Sequence, residues 1–296
     1  MAPLLSSWPV RVAWALLPVT MGPALGEALG EHSRVVARTG SGGAWLVWAA
    51  GLVAVAVPRT VSLTGLRIAA PAVVAVAVWA TATGPGDVDG LDVLAVTWAA
   101  LVLLAALAPT TGDTFVNGSS YGDERRMLLR VPLPLLVAPV PFAWLATVAG
   151  PITAPLLLAS RAWVAGGIAV LVGGAATVAG ARALHGLARR WVVFVPAGLV
   201  LHDLQAMADP VFFPRASIAR LGPAVELESG AADEVLDLSS GALGLLLQLD
   251  VREPRDVAPR RGRRALDPVQ VEHVRFAPSR PGALLAEASA RRIAVG

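Results

Sequence analysis

The stretch from Arg161 to Asp203 constrains this chain more than any other. Ala162 to Ala181 holds no charged residue. Its length matches the ~20 apolar residues a helix needs to cross a ~30 Å hydrocarbon core, so it predicts a membrane span. Arg182, His185, Arg189 and Arg190 follow as a basic collar. Trp191-Val-Val-Phe-Val195 then carries the β-branched and aromatic residues of a strand. The membrane-spanning part is expected to end here and a water-soluble part to begin.

Composition agrees with a chain in two halves. A hydrophobic fraction of 55%, a charged fraction of 15% and a mean hydropathy of +0.65 over 296 residues exceed what a soluble core of this size hides. Residues 1–190 carry eight acids and the shorter remainder thirteen. All 24 basic residues are Arg, so the sequence pI of 10.7 reflects groups that never deprotonate, and the net charge is only +3. That balance is weak support for nucleic acid as a partner, and none is expected. Cysteine is absent, which excludes disulfides, thiolate metal sites and Cys nucleophiles. The apolar run near the N-terminus lacks the basic start and small-residue cleavage site of a signal peptide and is read as a retained first helix.

Six spans are expected, at about 8–29, 44–57, 68–82, 93–108, 131–148 and 162–181. The first is interrupted by Pro9, Pro18 and Pro23, and the fifth by Pro132, Pro134, Pro139 and Pro141, which predicts a kinked or partly unwound helix. Six crossings with the C-terminal part in the cytoplasm put Arg11, Arg59, Arg67, Arg125, Arg126, Arg130, Arg182, Arg189 and Arg190 on or near the inner side. Arg34, Arg38, Arg161 and the acidic loop with Asp87, Asp89 and Asp92 then face out. This is the positive-inside bias, and it predicts an inner (plasma) membrane protein with both termini cytoplasmic.

Candidate chemistry is thin. Gly118-Ser-Ser-Tyr-Gly122 fits G-x-S-x-G, but a nucleophile elbow needs a strand before it and a helix after it, and here a span precedes it. Residues 113–130 read as a cytoplasmic loop instead. His32, His185, His202 and His273 have no metal-ligand spacing, and a Lys-free chain cannot carry a P-loop. No cofactor, metal or catalytic constellation is expected. Ionisable groups inside spans would point to transport, and Arg67, Asp92 and Arg11 all read as lying near span ends.

After Trp191 the chain reads as short strands: Trp191–Val195 and Leu199–Asp203 as a hairpin, then Val211–Phe213, Ser217–Leu221, Glu234–Leu238, Leu243–Asp250 joined to it across Ser239-Ser-Gly241, and Val269–Phe276. A short amphipathic helix over Pro281–Arg292 closes the chain, with Leu284, Leu285, Ala288 and Ile293 as its apolar side. The runs RRWVVFVPAGLVLHD (Arg189–Asp203), DPVFFPRASIARLGPA (Asp209–Ala224) and SRPGALLAEASARR (Ser279–Arg292) resemble the bacterial pleckstrin-homology-like domains of actinobacterial membrane proteins of unknown function. The resemblance covers the last third of the chain and implies a binding module, not a catalyst.

The expected fold is therefore an α-helical membrane bundle over residues 1–188, followed by a small antiparallel β domain with a C-terminal helix over 189–296. The expected role is binding or scaffolding, with anionic lipid headgroups, a protein partner or a second copy as ligand. Arg125, Arg126, Arg130, Arg189, Arg190, Arg260, Arg261, Arg263 and Arg264 are the candidate contacts, the last four in a flexible basic loop. The alternative reading is a transporter or channel subunit.

Overall fold

The computed structural model describes residues 7–225, 235–262 and 264–296. They form two compact units: residues 1–118 with 141–185, and residues 119–140 with 186–296.

The first unit is helical. Its elements are α1 (Trp8–Ala15), α2 (Leu17–Gly30), α3 (Arg34–Ala56), α4 (Thr60–Thr83), α5 (Gly90–Leu107), α6 (Pro109–Asn117), α8 (Pro139–Ala159) and α9 (Trp163–Leu187). With α1 and α2 taken as one broken helix, six are long and apolar enough to cross a membrane. The break at Leu16 lies just ahead of Pro18, which denies Trp14 its ladder donor. The second helix begins ten residues before the expected Ala44. Ser33 caps it by accepting from the Val36 N–H at 3.4 Å, and Gly40 lies against Leu29, where a Cβ would stand 2.8 Å from Cδ2. Asp89 and Asp92, expected simply as an acidic loop, form a capping box on α5, with Asp89 Oδ1 accepting from Leu91 and Asp92 N–H at 2.8 and 3.0 Å.

The fifth long apolar helix covers 139–159, not the expected 131–148. Pro139 and Pro141 fall in its first turn, where no backbone donor is needed, so they start the helix and do not kink it. Its internal prolines are Pro151 and Pro155.

The interior of this unit is built from small residues, with Ala70, Ala77, Ala80, Ala95, Ala99 and Ala106 all buried, while Trp45, Leu46, Leu104, Leu171 and Val172 point outward. Tryptophans supply polar cross-links: the indole N–H groups of Trp14, Trp98 and Trp144 donate at 2.9 Å to the carbonyls of Trp48, Ala13 and Ile68 on other helices. Between α8 and α9 the backbones meet directly. A Cβ on Gly173 would stand 2.6 Å from Gly150 Cα, and one on Gly180 would stand 2.4 Å from the Ala143 carbonyl.

The second unit holds two four-stranded sheets, ordered β1-β2-β3-β4 and β5-β7-β10-β6, and a two-stranded β8-β9. The strands are β1 (Arg125–Leu128), β2 (Arg190–Val195), β3 (Gly198–Asp203), β4 (Val211–Pro214), β5 (Ile218–Pro223), β6 (Val235–Asp237), β7 (Leu247–Val257), β8 (Arg260–Arg261), β9 (Arg264–Ala265) and β10 (Val269–Phe276). A five-residue helix, α7 (Leu133–Val137), follows β1, and α10 (Pro281–Ala290) closes the unit. Alternate residues of both sheets, among them Val192, Phe194, Leu199, Leu201, Leu249 and Phe276, enclose one core. Leu284, Ala288 and Ile293 seal it from the C-terminal side, with Leu285 packed against it, as the amphipathic pattern requires.

Three features depart from the sequence reading. Residues 119–140, assigned there to the helical part, belong to this unit: β1 pairs antiparallel with β2, in register Arg126↔Val193 and Leu128↔Trp191. Leu243–Leu246 is a loop and β7 begins at Leu247, while β6 runs parallel to β10 and does not pair with β7. Glu234, the expected first residue of β6, lies outside the described residues. The basic loop is a β-hairpin, with Arg260 opposite Ala265 and Arg261 opposite Arg264. Gly262, directly after β8, has a φ of +62° that favours glycine.

Candidate functional site

The candidate arginines divide into groups that do different things. Arg190 is the clearest correction. Its side chain is 2% exposed and grips Asp203, itself fully buried, through Nε–Oδ1 and Nη2–Oδ2 contacts of 2.8 and 2.6 Å. Nη1 donates to the Arg130 carbonyl at 2.9 Å, and Nη2 reaches the Leu238 carbonyl at 3.5 Å. One guanidinium thus joins β2, β3, the end of β1 and the segment after β6, and none of it is left for a headgroup.

Arg130 is also spent on structure, donating Nε to the Pro278 carbonyl at 3.2 Å and Nη1 to the Leu243 carbonyl at 2.6 Å. Arg260 donates to the Leu204 carbonyl at 3.1 Å, and its hairpin is held by backbone bonds from Arg260 N–H to Ala206 and from Ala208 N–H to Ala258. Arg126 pairs with Glu124 at 3.1 Å, donates to Ser119 Oγ at 3.2 Å and lies 5.6 Å above the Trp191 ring, which stacks on His202. The side chains of Arg125, Arg189 and Arg264 are exposed. Arg261 sits in β8, and Arg263 is outside the described residues.

Geometry also separates them. The antiparallel register puts Arg125 and Arg126 opposite Phe194 and Val193, at the far end of β2 from Arg189. Four strand residues span roughly 13 Å. Arg189 instead shares an end of the unit with the 204–208 turn and the β8-β9 hairpin, since Arg190 faces Asp203 across β2-β3. The chain passes between the units three times, at Gly118–Ser119 ahead of β1, at Val140–Pro141 in the first turn of α8 and at His185–Gly186 ahead of β2. Arg182, exposed near the end of α9, adds a further charge to the Gly186 connection.

Within the helical unit a polar cluster forms around α6, whose Asp113–Asn117 stretch the sequence predicts as part of a loop. Residues 111–116 of α6 are all buried, and Asp113 is 3% exposed. Its carboxylate acts electrostatically on Arg67 of α4, whose Nε has no hydrogen-bond partner. Asn117 donates to the Asp113 carbonyl at 2.7 Å and Thr111 to the Ala105 carbonyl at 2.8 Å. One helical turn before Arg67, Thr64 Oγ1 meets His185 Nδ1 of α9 at 2.8 Å. The signal for α6 was present in Pro109: proline after the end of one helix is a preferred first residue of the next.

The remaining sites are plainer. The order around Ser120 is helix α6 and then strand β1, the reverse of a nucleophile elbow. On the outer face of the second sheet Asp250 accepts from Gln248 at 2.7 Å, contacts His273 Nδ1 at 2.8 Å and pairs with Arg220 at 3.4 Å. Missed in the sequence, this network follows from period-2 alternation in β5, β7 and β10. A cavity of about 230 Å³ on α8 and α9 is lined by Gly150, Pro151, Ala154, Ala169, Val170, Gly174 and Thr177, an apolar wall save for one hydroxyl. Compared with family models, with curated proteins and with solved structures, the chain matches none.

Proposed function

We propose that this chain is a six-span protein of the cell's inner (plasma) membrane whose β unit, on the cytoplasmic side with both termini, is a binding or scaffolding module for anionic lipid. One observation carries the reading: β1 is hydrogen-bonded to β2 although α8 and α9 intervene in sequence. At 1.5 Å per residue each of those helices is roughly 30 Å long or more, so the chain leaves the β unit, crosses a bilayer and returns to complete the same sheet. A module built across such an excursion is held at the membrane surface.

Charge supports the side. Arg59, Arg125, Arg182 and Arg189 are exposed on the β-unit side of this topology; on the other lie Arg34, Arg38 and Arg161 with Asp87, Asp89 and Asp92. Each exposed arginine near an anionic leaflet gains ~1 kcal/mol. Two sheets around one core, closed by a C-terminal helix, support the pleckstrin-homology-like reading of the β unit, extended by a strand from residues 125–128.

A transporter is the second reading, and the Arg67–Asp113 cluster is what favours it, since ionisable groups in a bilayer are usually functional. The Thr64–His185 contact beside it argues for an anchor instead. Arg67 is seven residues into α4, about 10 Å, and His185 is two residues from the end of α9. The Thr64–His185 contact thus lies toward the boundary, with Arg67 between the boundary and the midplane, and the cavity on α8 and α9 is apolar.

The lipid reading is tested on the full chain in nanodiscs of mixed neutral and anionic lipid, by mass spectrometry of the lipids retained after mild detergent extraction. Enrichment of anionic lipid, reduced in the Arg182→Gln/Arg189→Gln/Arg264→Gln variant, is expected. Equal retention of both lipid classes in wild type and variant would refute it.

A further inference from the structure

The loop between β6 and β7 presents leucines to solvent from a rigid frame. Leu243 is 63% exposed and Leu245 50%, between buried Ala242 and Leu247. The loop does not hang free. Ser240 and Gly241 turn it with φ of +50° and +78°, Ala242 N–H bonds back to the Ser239 carbonyl at 3.0 Å, and Gly244 turns it again at φ +105°. Arg130 donates to the Leu243 carbonyl at 2.6 Å and lies so close to Gly244 that a Cβ there would be 1.8 Å from Nη1. Leu133 N–H donates to the Gly241 carbonyl at 3.4 Å. The loop is thereby fastened to the α7 segment of the same unit, where Leu133, Leu136 and Val137 are 38, 47 and 72% exposed.

Five large apolar side chains held in one region, on ordered backbone, are an unusual expense in water. Chain continuity names what covers them: Val137 stands two residues before Pro139, the first residue of the α8 span. The region cannot be far from the bilayer boundary, and Arg182 and Arg189, on either side of the connection that leads into β2, are of the sign an anionic leaflet attracts.

We infer that the Leu243–Leu245 turn, with Leu136 and Val137, inserts into the cytoplasmic leaflet and fixes the β unit against it. This rests on the membrane topology proposed above. Apolar side chains enter the interface to gain burial, the arginine behind them stays with protein carbonyls, and the turn backbone is satisfied within the loop. The insertion is thus hydrophobic in origin and differs from the headgroup contacts of Arg189 and Arg264.

The chain has no cysteine, so single nitroxide labels report unambiguously. The full chain is reconstituted in vesicles with labels replacing Leu243, Leu245, Tyr121 or Leu171, and collision with oxygen is compared with collision with a water-soluble nickel chelate. Oxygen is expected to dominate at 243 and 245, as at Leu171 on the outward face of α9, and nickel at Tyr121, which is exposed before β1. Nickel dominating at 243 and 245 while oxygen dominates at 171 overturns the insertion and leaves the topology standing. Nickel at 171 overturns the topology itself. Low access to both reagents with dipolar broadening at 243 assigns the loop to a contact between copies and also overturns the insertion. Leu243→Asp/Leu245→Asp, at exposed positions, is expected to keep the fold and to raise nickel access at a label replacing Val137; an unchanged Val137 signal would count against the shared insertion.

Discussion

Replacing Arg190 by Met removes a charge from the centre of the β unit and leaves the Asp203 carboxylate enclosed, with the Gln205 N–H still donating to it at 3.1 Å. Two oppositely charged groups about 4 Å apart, centre to centre, attract by ~4 kcal/mol at an effective dielectric of 20. Stranding one partner of such a buried pair costs about 3–5 kcal/mol. The Arg130 carbonyl loses its donor as well, which adds about 1–3 kcal/mol if no water replaces it. Asp203→Asn strands the cation instead and lies at the lower end, since the amide oxygen still accepts. The double change Arg190→Met/Asp203→Leu removes both charges and should be less harmful than the sum of the single changes, with a coupling of about 2 kcal/mol or more. Hydrogen-exchange mass spectrometry on the full chain in detergent reads this locally, from amides of β2 and β3. A loss of 3–5 kcal/mol appears as exchange faster by two to four orders of magnitude, at 1.36 kcal/mol per decade. Single variants within about 1 kcal/mol of wild type, or a strictly additive double variant, would refute the view that this pair organises the unit.

Other consequences follow from the packing. Gly173→Val drives a branched side chain into the Gly150 backbone and should destabilise the α8-α9 contact by about 1–3 kcal/mol or split it, read as a lower melting temperature by size exclusion after heating; an unshifted melt would show that the helices do not touch there. Residues 189–296 expressed alone lack β1 and bare the edge of β2, so they should aggregate. Residues 119–138 joined by a flexible linker to 186–296 should give a dispersed amide NMR spectrum, and a well-folded 189–296 fragment would contradict the pairing. His185→Phe removes the partner of Thr64 at little change in bulk and should cost about 1 kcal/mol, measurable as faster exchange at the end of α9.

Local signals made much of this fold readable. The β2-β3 hairpin announces itself by β-branched runs around Pro196-Ala197, β10 by its alternation, and α10 by apolar residues on one side. What failed were features decided by distant partners. Arg125–Leu128 looks like part of a polar loop, because its reason to be a strand is β2, more than sixty residues later. The prolines at 139 and 141 look like helix breakers until they are known to start the helix. Two features were in reach of the sequence. Val195 faces Gly198 across the turn, so the same register sets Arg190 against Asp203, and Arg190 shares its face with Val192 and Phe194, which enter the core. Period 2 alone therefore marks Arg190 as an inward residue. The buried face of α6 was harder, because Thr-Thr-Gly-Asp-Thr reads as solvated until its neighbours are known.

In the proposed topology the two segments that build the β unit lie on one side of the membrane and the α8-α9 turn lies on the other. Labelling of single cysteines at Tyr121, Arg161 and Glu253 with a membrane-impermeant maleimide tests this directly in intact and permeabilised cells. Arg161→Cys should react in intact cells, and Tyr121→Cys and Glu253→Cys only after permeabilisation. Reaction of Arg161→Cys together with either of the others, or Tyr121→Cys and Glu253→Cys on opposite sides, would contradict it.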